Sequence, residues 1–313
     1  MHMRRLQWIF LFLLAFCVLT LWYVIFPSGA GSEQTNLLYF CDYEPLHRQR
    51  YLFTLWERSE CKDIHPFLFL ASRPQDVKLR QAIRIAWGSQ HFWWGQRILT
   101  LFLLGEDADR VHSAAALSVE DESDIIRRDF MDTYDNLTLK TIMAFQWFTE
   151  LGSNARFLMK TEDDVFINTP NLVKFLLRLN SSENVFTGYP FINNHAYRGY
   201  YRRRSISYQE YPFRLYPPCC SGMGYILDGR LPLRVYELMS HVKPIKFEDV
   251  YVGICLNILQ VNVSAPEEKQ FFLYKISFDT CGCRQLIAAH GITASEIISF
   301  WQALSSHPAV TCL

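Results

Sequence analysis

Apolar and polar positions fall in blocks along this chain, and the first block stands apart. From Trp8 to Phe26 nineteen residues are apolar apart from Thr20, a run long enough to cross the hydrocarbon core of a bilayer. Arg4 and Arg5 precede it, while Ser28, Gly29, Ala30, Gly31 and Glu33 follow it. The positive-inside rule then places residues 1–7 in the cytoplasm and nearly all of the chain on the other side, with Trp8, Trp22 and Tyr23 where interfacial aromatics collect. The small residues at 28–31 would also suit a cleaved secretory signal, but such a signal has a shorter apolar core, about 7–15 residues. The run is therefore read as a retained anchor over 8–26.

Residues 27–61 show no clean period and read as a stem. From there the pattern becomes regular, and 62–313 is read as one globular domain. An apolar run at 67–70 suits a buried strand, and 76–87 has helical spacing. Strands are expected at 98–104, closed by Gly105, and at 124–130. A helix is expected at 138–150, with Leu139, Ile142, Met143, Phe145 and Trp147 supplying its apolar positions. One continuous strand over 156–167 and a helix over 171–179 follow, then a strand at 225–227 and a buried helix beginning near Val250. Strands alternating with helices predict an α/β domain on a mainly parallel sheet.

Composition narrows the function classes. Lys and Arg number 31 against 31 Asp and Glu, half the residues are apolar, and 15% are aromatic. This excludes a disordered chain and a polycationic nucleic-acid binder. Of nine cysteines, Cys17 lies in the apolar run and eight lie beyond it: Cys41, Cys61, Cys219, Cys220, Cys255, Cys281, Cys283 and Cys312. Across a membrane these read as disulfide partners whose pairing spacing cannot choose. Cys281-Gly282-Cys283 lacks the two-residue gap of a zinc knuckle. Sequons at Asn136, Asn180 and Asn262 agree with a lumenal location.

The chemistry concentrates at Glu162-Asp163-Asp164, three acids following the apolar Phe157-Leu158-Met159. Acids are poor strand formers that repel one another, so a compensating partner is required. In an extended chain Glu162 and Asp164 would share one face and Asp163 the other. That pair could hold a Mg²⁺- or Mn²⁺-type cation at a strand end. A solvated acidic turn fits the triplet equally well. Glu248-Asp249 stands at the start of a helix, where it either caps the helix or presents a carboxylate able to take a hydroxyl proton. Gly222 and Gly224 would let a ligand approach the main chain closely, or form a tight turn into the next strand. His290, behind Leu286-Ile287-Ala288-Ala289, is either a core histidine or an imidazole ligand.

Several ordered blocks resemble the lumenal beta-1,3-glycosyltransferases (glycosyltransferase family 31). Arg80 to Gly88, Phe102 to Gly105, Asp124 to Thr141, Lys160 to Asn168, Tyr216 to Tyr225 and Phe247 to Cys255 carry that likeness over essentially the whole lumenal chain. Ile206 to Phe213, His241 to Asn257 and Ile287 to Gly291 extend it toward the members that build globoside. The resemblance implies a GT-A-type nucleotide-sugar fold and a single-pass type II protein of the Golgi membrane. It implies Mn²⁺ (or Mg²⁺) and UDP-GalNAc, with inverting beta-1,3 transfer of N-acetylgalactosamine to the terminal galactose of a glycolipid, globotriaosylceramide.

Under that resemblance Asp164 and Glu162 would bind metal, with His290 completing the coordination and Asp163 beside the nucleotide. Arg80 and Arg84 would contact donor phosphates, with Asp129 and Lys140 as further nucleotide candidates and Gly222 and Gly224 lining the ligand. Asp249, with Glu248 beside it, would be the general base. Two departures mark this sequence. The family's metal motif opens with Asp where this chain has Glu162, whose extra methylene moves the carboxylate by about a bond length. Cys41, Cys219 and Cys283 add to the family's cysteines. Alternatives are a beta-1,3-galactosyltransferase with the same machinery, and a catalytically silent glycan-binding protein.

Overall fold

In a computed structural model, the described residues are Phe16, 53–55 and most of 67–306, with gaps at 90–91, 108–121, 152–154, 180–183, 201–202, 267–269 and 278–279. The chain divides into two units, Met1–Gln34 and Thr35–Leu313, and every element below belongs to the second. The expected anchor at 8–26, apart from Phe16, and the sequon at Asn180 lie outside the described residues. Among the described residues no helix is long and apolar enough to cross a membrane.

The strands are β1 (Phe53–Leu55), β2 (Phe67–Ala71), β3 (Phe92–Trp93), β4 (Gln96–Arg97), β5 (Leu99–Glu106), β6 (Ile125–Met131), β7 (Phe157–Glu162), β8 (Val165–Ile167), β9 (Phe186–Phe191), β10 (Cys219–Asp228), β11 (Phe271–Phe272) and β12 (Ala288–His290). The helices are α1 (Val77–Ile85), α2 (Leu137–Leu151), α3 (Thr169–Arg178), α4 (Leu231–Met239), α5 (Glu248–Ile258), α6 (Thr280–Gln285) and α7 (Ala294–Ser306). The main sheet has the order β1-β6-β5-β2-β7-β10-β9. β6, β5, β2 and β7 run parallel. β1, β10 and β9 add antiparallel pairings at the flanks.

The sheet is thus mixed rather than mainly parallel. The physical reason lies at β10, which pairs antiparallel with β7 in the register Gly224–Thr161 to Asp228–Phe157. Reversal brings the first half of β10 beside the carboxyl end of β7. β1, within the segment read as stem, pairs with β6 at the sheet edge.

Alternation along each strand sends side chains to two cores. Leu101, Leu103, Leu158, Tyr225 and Leu227 join one cluster with residues of α2, α4 and α5. Phe102, Leu104, Phe157, Met159 and Ile226 join the other with residues of α1, α3 and α7. Helices therefore cover both faces, which is why the central strands read as continuous apolar runs. Burying a Phe or Leu side chain stabilises by about 1.5–3 kcal/mol, so these layers fix the strand ends from which the polar groups project.

The stretch 156–167 is not one strand. β7 ends at Glu162, the chain turns at Asp163-Asp164, and β8 leaves the main sheet to pair with β12. Mutual repulsion of three acids disfavours a continuous ladder, and the turn separates them. α3 starts as its residues dictate: the Asn168 side chain accepts from Asn171 N at 3.2 Å, and Pro170 sits in the first turn. Cys219 and Cys220 are buried free thiols, contrary to the expectation that each has a disulfide partner. As neighbours on a strand their side chains diverge, and burial pushes both thiols up.

Candidate active site

Ligands of open α/β sheets gather beyond the carboxyl ends of the parallel strands. Here that edge carries Ser72 after β2, Glu162 at the end of β7 and, by the reversal of β10, Gly222. Three ligand-capable groups meet there. Glu162, Asp164 and His290 each offer an atom within 4.8 Å of the others. His290 Nε2 lies 3.6 Å from Glu162 Oε2 and 3.5 Å from Asp164 Oδ2. Its Nδ1 faces the Leu273 carbonyl at 3.1 Å, which fixes the ring and turns Nε2 toward the acids, as in metal-ligating histidines. Antiparallel pairing of β12 with β8, His290 opposite Val165, supplies this convergence. His290 is half-buried, with its Nε2 turned toward the two carboxylates.

The charges respond to one another. Burial alone would push the Glu162 carboxyl up, but Lys160 and His290 more than offset it and hold it below its usual range. Asp164 is raised by burial and by the neighbouring Glu162 carboxylate. Glu162 raises His290 against the opposing effect of burial, with Asp164 adding to the rise. Two oxygens and an imidazole nitrogen form a donor set suited to a divalent cation of the Mn²⁺ type, which would bind the neutral imidazole.

Asp163 points away from this trio. It is buried, accepts from Ser72 Oγ at 2.6 Å, and is raised by burial to about 7. Ser72 Oγ in turn accepts from Arg80, which also donates to the carbonyls of Arg73 and Pro74 at 2.5 and 2.9 Å. Arg80, fully buried, therefore shapes the loop after β2 rather than projecting into the site. Arg84 forms a two-pronged pair with Asp124, both contacts at 2.7 Å. Lys140 lies beneath the site, where it bonds the Ser72 carbonyl and pairs with Asp132 at 2.8 Å. Asp129 is exposed on β6. The structure does not gather these four with the acidic trio.

On the other side of Gly222 stands a second constellation. Lys160, in the middle of β7 and buried, bonds Glu248 Oε1 at 2.5 Å and the Gly222 carbonyl at 2.9 Å, with Glu162 Oε1 3.7 Å away. Glu248 Oε2 accepts from Thr141 at 2.9 Å and Tyr225 at 3.2 Å. Both oxygens of Glu248 are engaged and it is buried, so it holds Lys160 in place and does not face a ligand. Asp249, one residue on in the first turn of α5, is half-buried. Its Oδ2 accepts from Gly222 N at 3.2 Å and its Oδ1 from Val250 N at 2.8 Å. Burial raises its pKa, partly countered by those amides and by Lys160.

Gly222 is where the two halves touch. A Cβ there would stand 2.5 Å from Glu248 Oε1, with Lys160 Nζ and Glu162 Oε1 at ordinary contact, 3.4 and 3.5 Å, so it is the close approach of the pinned Glu248 carboxylate that favours glycine. At Gly224 the nearest atom would be the Met159 methyl at 3.2 Å. Sequence reasoning missed Lys160, Ser72, Asp132, Thr141 and Tyr225. A usable signal existed for Lys160: a cation within an apolar strand must find a buried partner.

A galactosyltransferase family model matches residues 78–267, which contain the acidic turn, Gly222 and Asp249. The chain belongs to the galactosyltransferase family. Among curated proteins of this family it is 56% identical over 311 residues to UDP-GalNAc:beta-1,3-N-acetylgalactosaminyltransferase 1 of Mus musculus, covering 97% of this chain and 94% of that one. The Homo sapiens protein of that name is 55% identical over the same coverage. Beta-1,3-galactosyltransferase 5 of Homo sapiens is 36% identical over 261 residues, 81% of this chain and 83% of that one. The family resemblance expected from the sequence blocks is thus borne out, and the domain is a glycosyltransferase domain of mixed sheet and helices.

Proposed function

We propose that this galactosyltransferase-family protein transfers N-acetylgalactosamine from UDP-GalNAc, in beta-1,3 linkage, to the terminal galactose of a glycolipid, globotriaosylceramide, from a GT-A-type domain anchored in the Golgi membrane and facing the lumen. The observation that carries this is the juxtaposition, across Gly222, of the Glu162–Asp164–His290 trio and the Asp249 carboxylate. The 55–56% identity to proteins named for that transfer supports the choice of sugar.

Glu162, Asp164 and His290 would hold a divalent cation at the end of the site that receives the donor diphosphate. When bound, that cation neutralises charge growing on the departing diphosphate. Asp249 accepts the proton of the acceptor 3-hydroxyl as its oxygen bonds to the anomeric carbon. The bond from that carbon to the diphosphate oxygen breaks, its electron pair leaving with UDP, and attack from the opposite side turns an alpha-linked donor into a beta-linked product. Lys160 and Glu248 take no proton; they hold Gly222, whose N–H orients Asp249.

The test offers full-length protein UDP-GalNAc, UDP-Gal and UDP-GlcNAc with Mn²⁺ and globotriaosylceramide, and determines the product linkage. Beta-1,3-linked N-acetylgalactosamine is expected. Transfer of galactose alone would replace this reading with that of a beta-1,3-galactosyltransferase, which the 36% identical relative keeps in view. Metal-dependent UDP binding without any transfer would favour a silent glycan-binding protein.

A further inference from the structure

β9 and β10 do not keep step along their shared edge. Cys219 pairs with Phe191 and Cys220 with Pro190, yet the next pair is Tyr225 with Gly188. Residues 221–224 of β10 therefore stand against Tyr189 alone, and the surplus arches away from the ladder. Bulges of this kind re-aim a strand and are common beside active sites. Peptide groups of the arch bond side chains instead. Gly222 N donates to Asp249 Oδ2 at 3.2 Å, Gly222 O accepts from Lys160 Nζ at 2.9 Å, and Met223 O accepts from Thr161 Oγ1 at 2.6 Å. Side chains of β7 thus clamp the arch from one side.

On the other side the arch is seated on Gly188, which is buried. A Cβ there would stand 2.5 Å from Gly224 O, 3.1 Å from Tyr225 Cα and 3.3 Å from Cys220 Cβ, so both ends of the arch close over the space a side chain would fill. The backbone at Gly188 is not in the left-handed region, and the requirement is for room alone. Although β9 is last in the sheet order, its outer edge is held by Ser264, whose N donates to Phe186 O at 2.8 Å, and the Phe186 ring packs on Tyr225 with centres 6.1 Å apart. Gly224 O must therefore move by about 0.8–1.1 Å to reach an ordinary C–H···O separation of about 3.3–3.6 Å from an added Cβ.

We infer that Gly188, which has no side chain to offer a ligand, is a positioning residue for transfer: it seats the 221–224 arch and, with the Thr161 clamp, sets where Gly222 N–H holds the Asp249 carboxylate. The inference rests on the reading of Asp249 as the base. Misplacing a group by about 1 Å can cost about 10²-fold in rate even when the substitution lies outside the chemistry.

The test compares full-length parent with Gly188→Ala, Thr161→Val and Gly88→Ala. The last crowds the Ile83 carbonyl to 2.9 Å just beyond α1, a helix length from the loop after β2, and is the packing control. Hydrogen exchange over 219–225, read without substrate, should be faster in Gly188→Ala and Thr161→Val and unchanged in Gly88→Ala. Exchange equal to the parent in the first two overturns the inference. The kinetic readout is the acid limb of kcat against pH. Gly222 N–H helps to hold the Asp249 pKa down against burial, so a displaced arch moves the limb to higher pH, by about 0.5–1 unit. Plateau kcat should fall about 10–10²-fold, with UDP affinity in Mn²⁺ within about twofold of the parent. The groups facing that carboxylate are Lys160 and Glu162 on β7 and Glu248 on α5, then the Cys219 and Cys220 thiols of β10 and the Tyr134 and Tyr216 hydroxyls; the alanine at 188 alters none of their charges. A lowered unfolding midpoint in Gly188→Ala with kcat and limb unchanged also overturns the inference, because β9 would then have yielded in place of the arch. Should Gly188→Ala fail to fold, Thr161→Val decides by the same readouts. An acid limb that survives in Asp249→Asn would condemn the base reading, while faster exchange confined to the two arch variants would leave the seat at Gly188 standing.

Discussion

Lys160→Met removes the cation that joins the two halves of the site. The methionine fills similar volume, but Glu248, with 5% of its side chain exposed, loses its ionic partner at 2.5 Å. Breaking one side of a buried pair costs about 3–5 kcal/mol. Thr141 and Tyr225 still donate to the carboxylate, so the lower end, about 3 kcal/mol, is expected. At roughly 2–4 °C per kcal/mol for a domain of this size, the unfolding midpoint should fall by about 6–12 °C. Glu248→Gln added to Lys160→Met should recover more than half of the loss.

The loss should also depend on pH. Burial already raises the folded-state pKa of Glu248, with Lys160 opposing the rise. Without Lys160 it rises further, so the folded state binds a proton that the unfolded state releases. Stability then decreases as pH climbs from about 4.3, the unfolded value, through the raised folded value, and the variant lies closest to the parent in acid. Thermal unfolding of the parent, both single variants and the double variant, at one scan rate and at pH 5 and 7.5, gives the cycle. A Lys160→Met midpoint within 2 °C of the parent, or no recovery in the double variant, would refute the reasoning.

Asp249→Asn should lower kcat by about 10²–10⁴ while donor binding by calorimetry stays unchanged. The parent rate should fall as pH drops through a pKa raised by burial, with Glu162 adding to the rise and Lys160, Gly222 N–H and Val250 N–H opposing it; the Asn variant should lack that limb. Gly222→Ala drives a Cβ to 2.5 Å from a carboxylate pinned by three donors, and should cost about 1–3 kcal/mol and reduce turnover. Gly224→Ala meets only the flexible Met159 methyl and should be nearly silent in both assays. His290→Ala should weaken Mn²⁺ binding by at least about tenfold; unchanged affinity would return the ring to a structural role.

Much of the frame was legible because the central strands are continuous apolar runs, the helix at 77–85 has a strong helical period and the helix at 137–151 is long and apolar. The reversal of β10 was not, since an antiparallel strand and a parallel one carry the same buried apolar pattern. Glu162 and Asp164 were found on a shared face by strand alternation, yet the structure brings them together through a turn and a separate strand pair, β8 with β12. Arg80, Arg84 and Lys140 looked available for phosphate because sequence gives charge without neighbours; Ser72, Asp124 and Asp132, 8 to 40 positions away, occupy them. Glu248 and Asp249, adjacent and chemically alike, receive different tasks because successive residues of a helix face different surroundings.

The central claim is that Glu162, Asp164 and His290 grip a divalent cation on which donor binding depends. Calorimetric titration of UDP into full-length protein, with Mn²⁺, after chelation and in Asp164→Asn, tests it most directly. Saturable binding with Mn²⁺ that disappears in the other two preparations is the predicted result. UDP binding of the same strength in a chelated, transfer-competent preparation would contradict it.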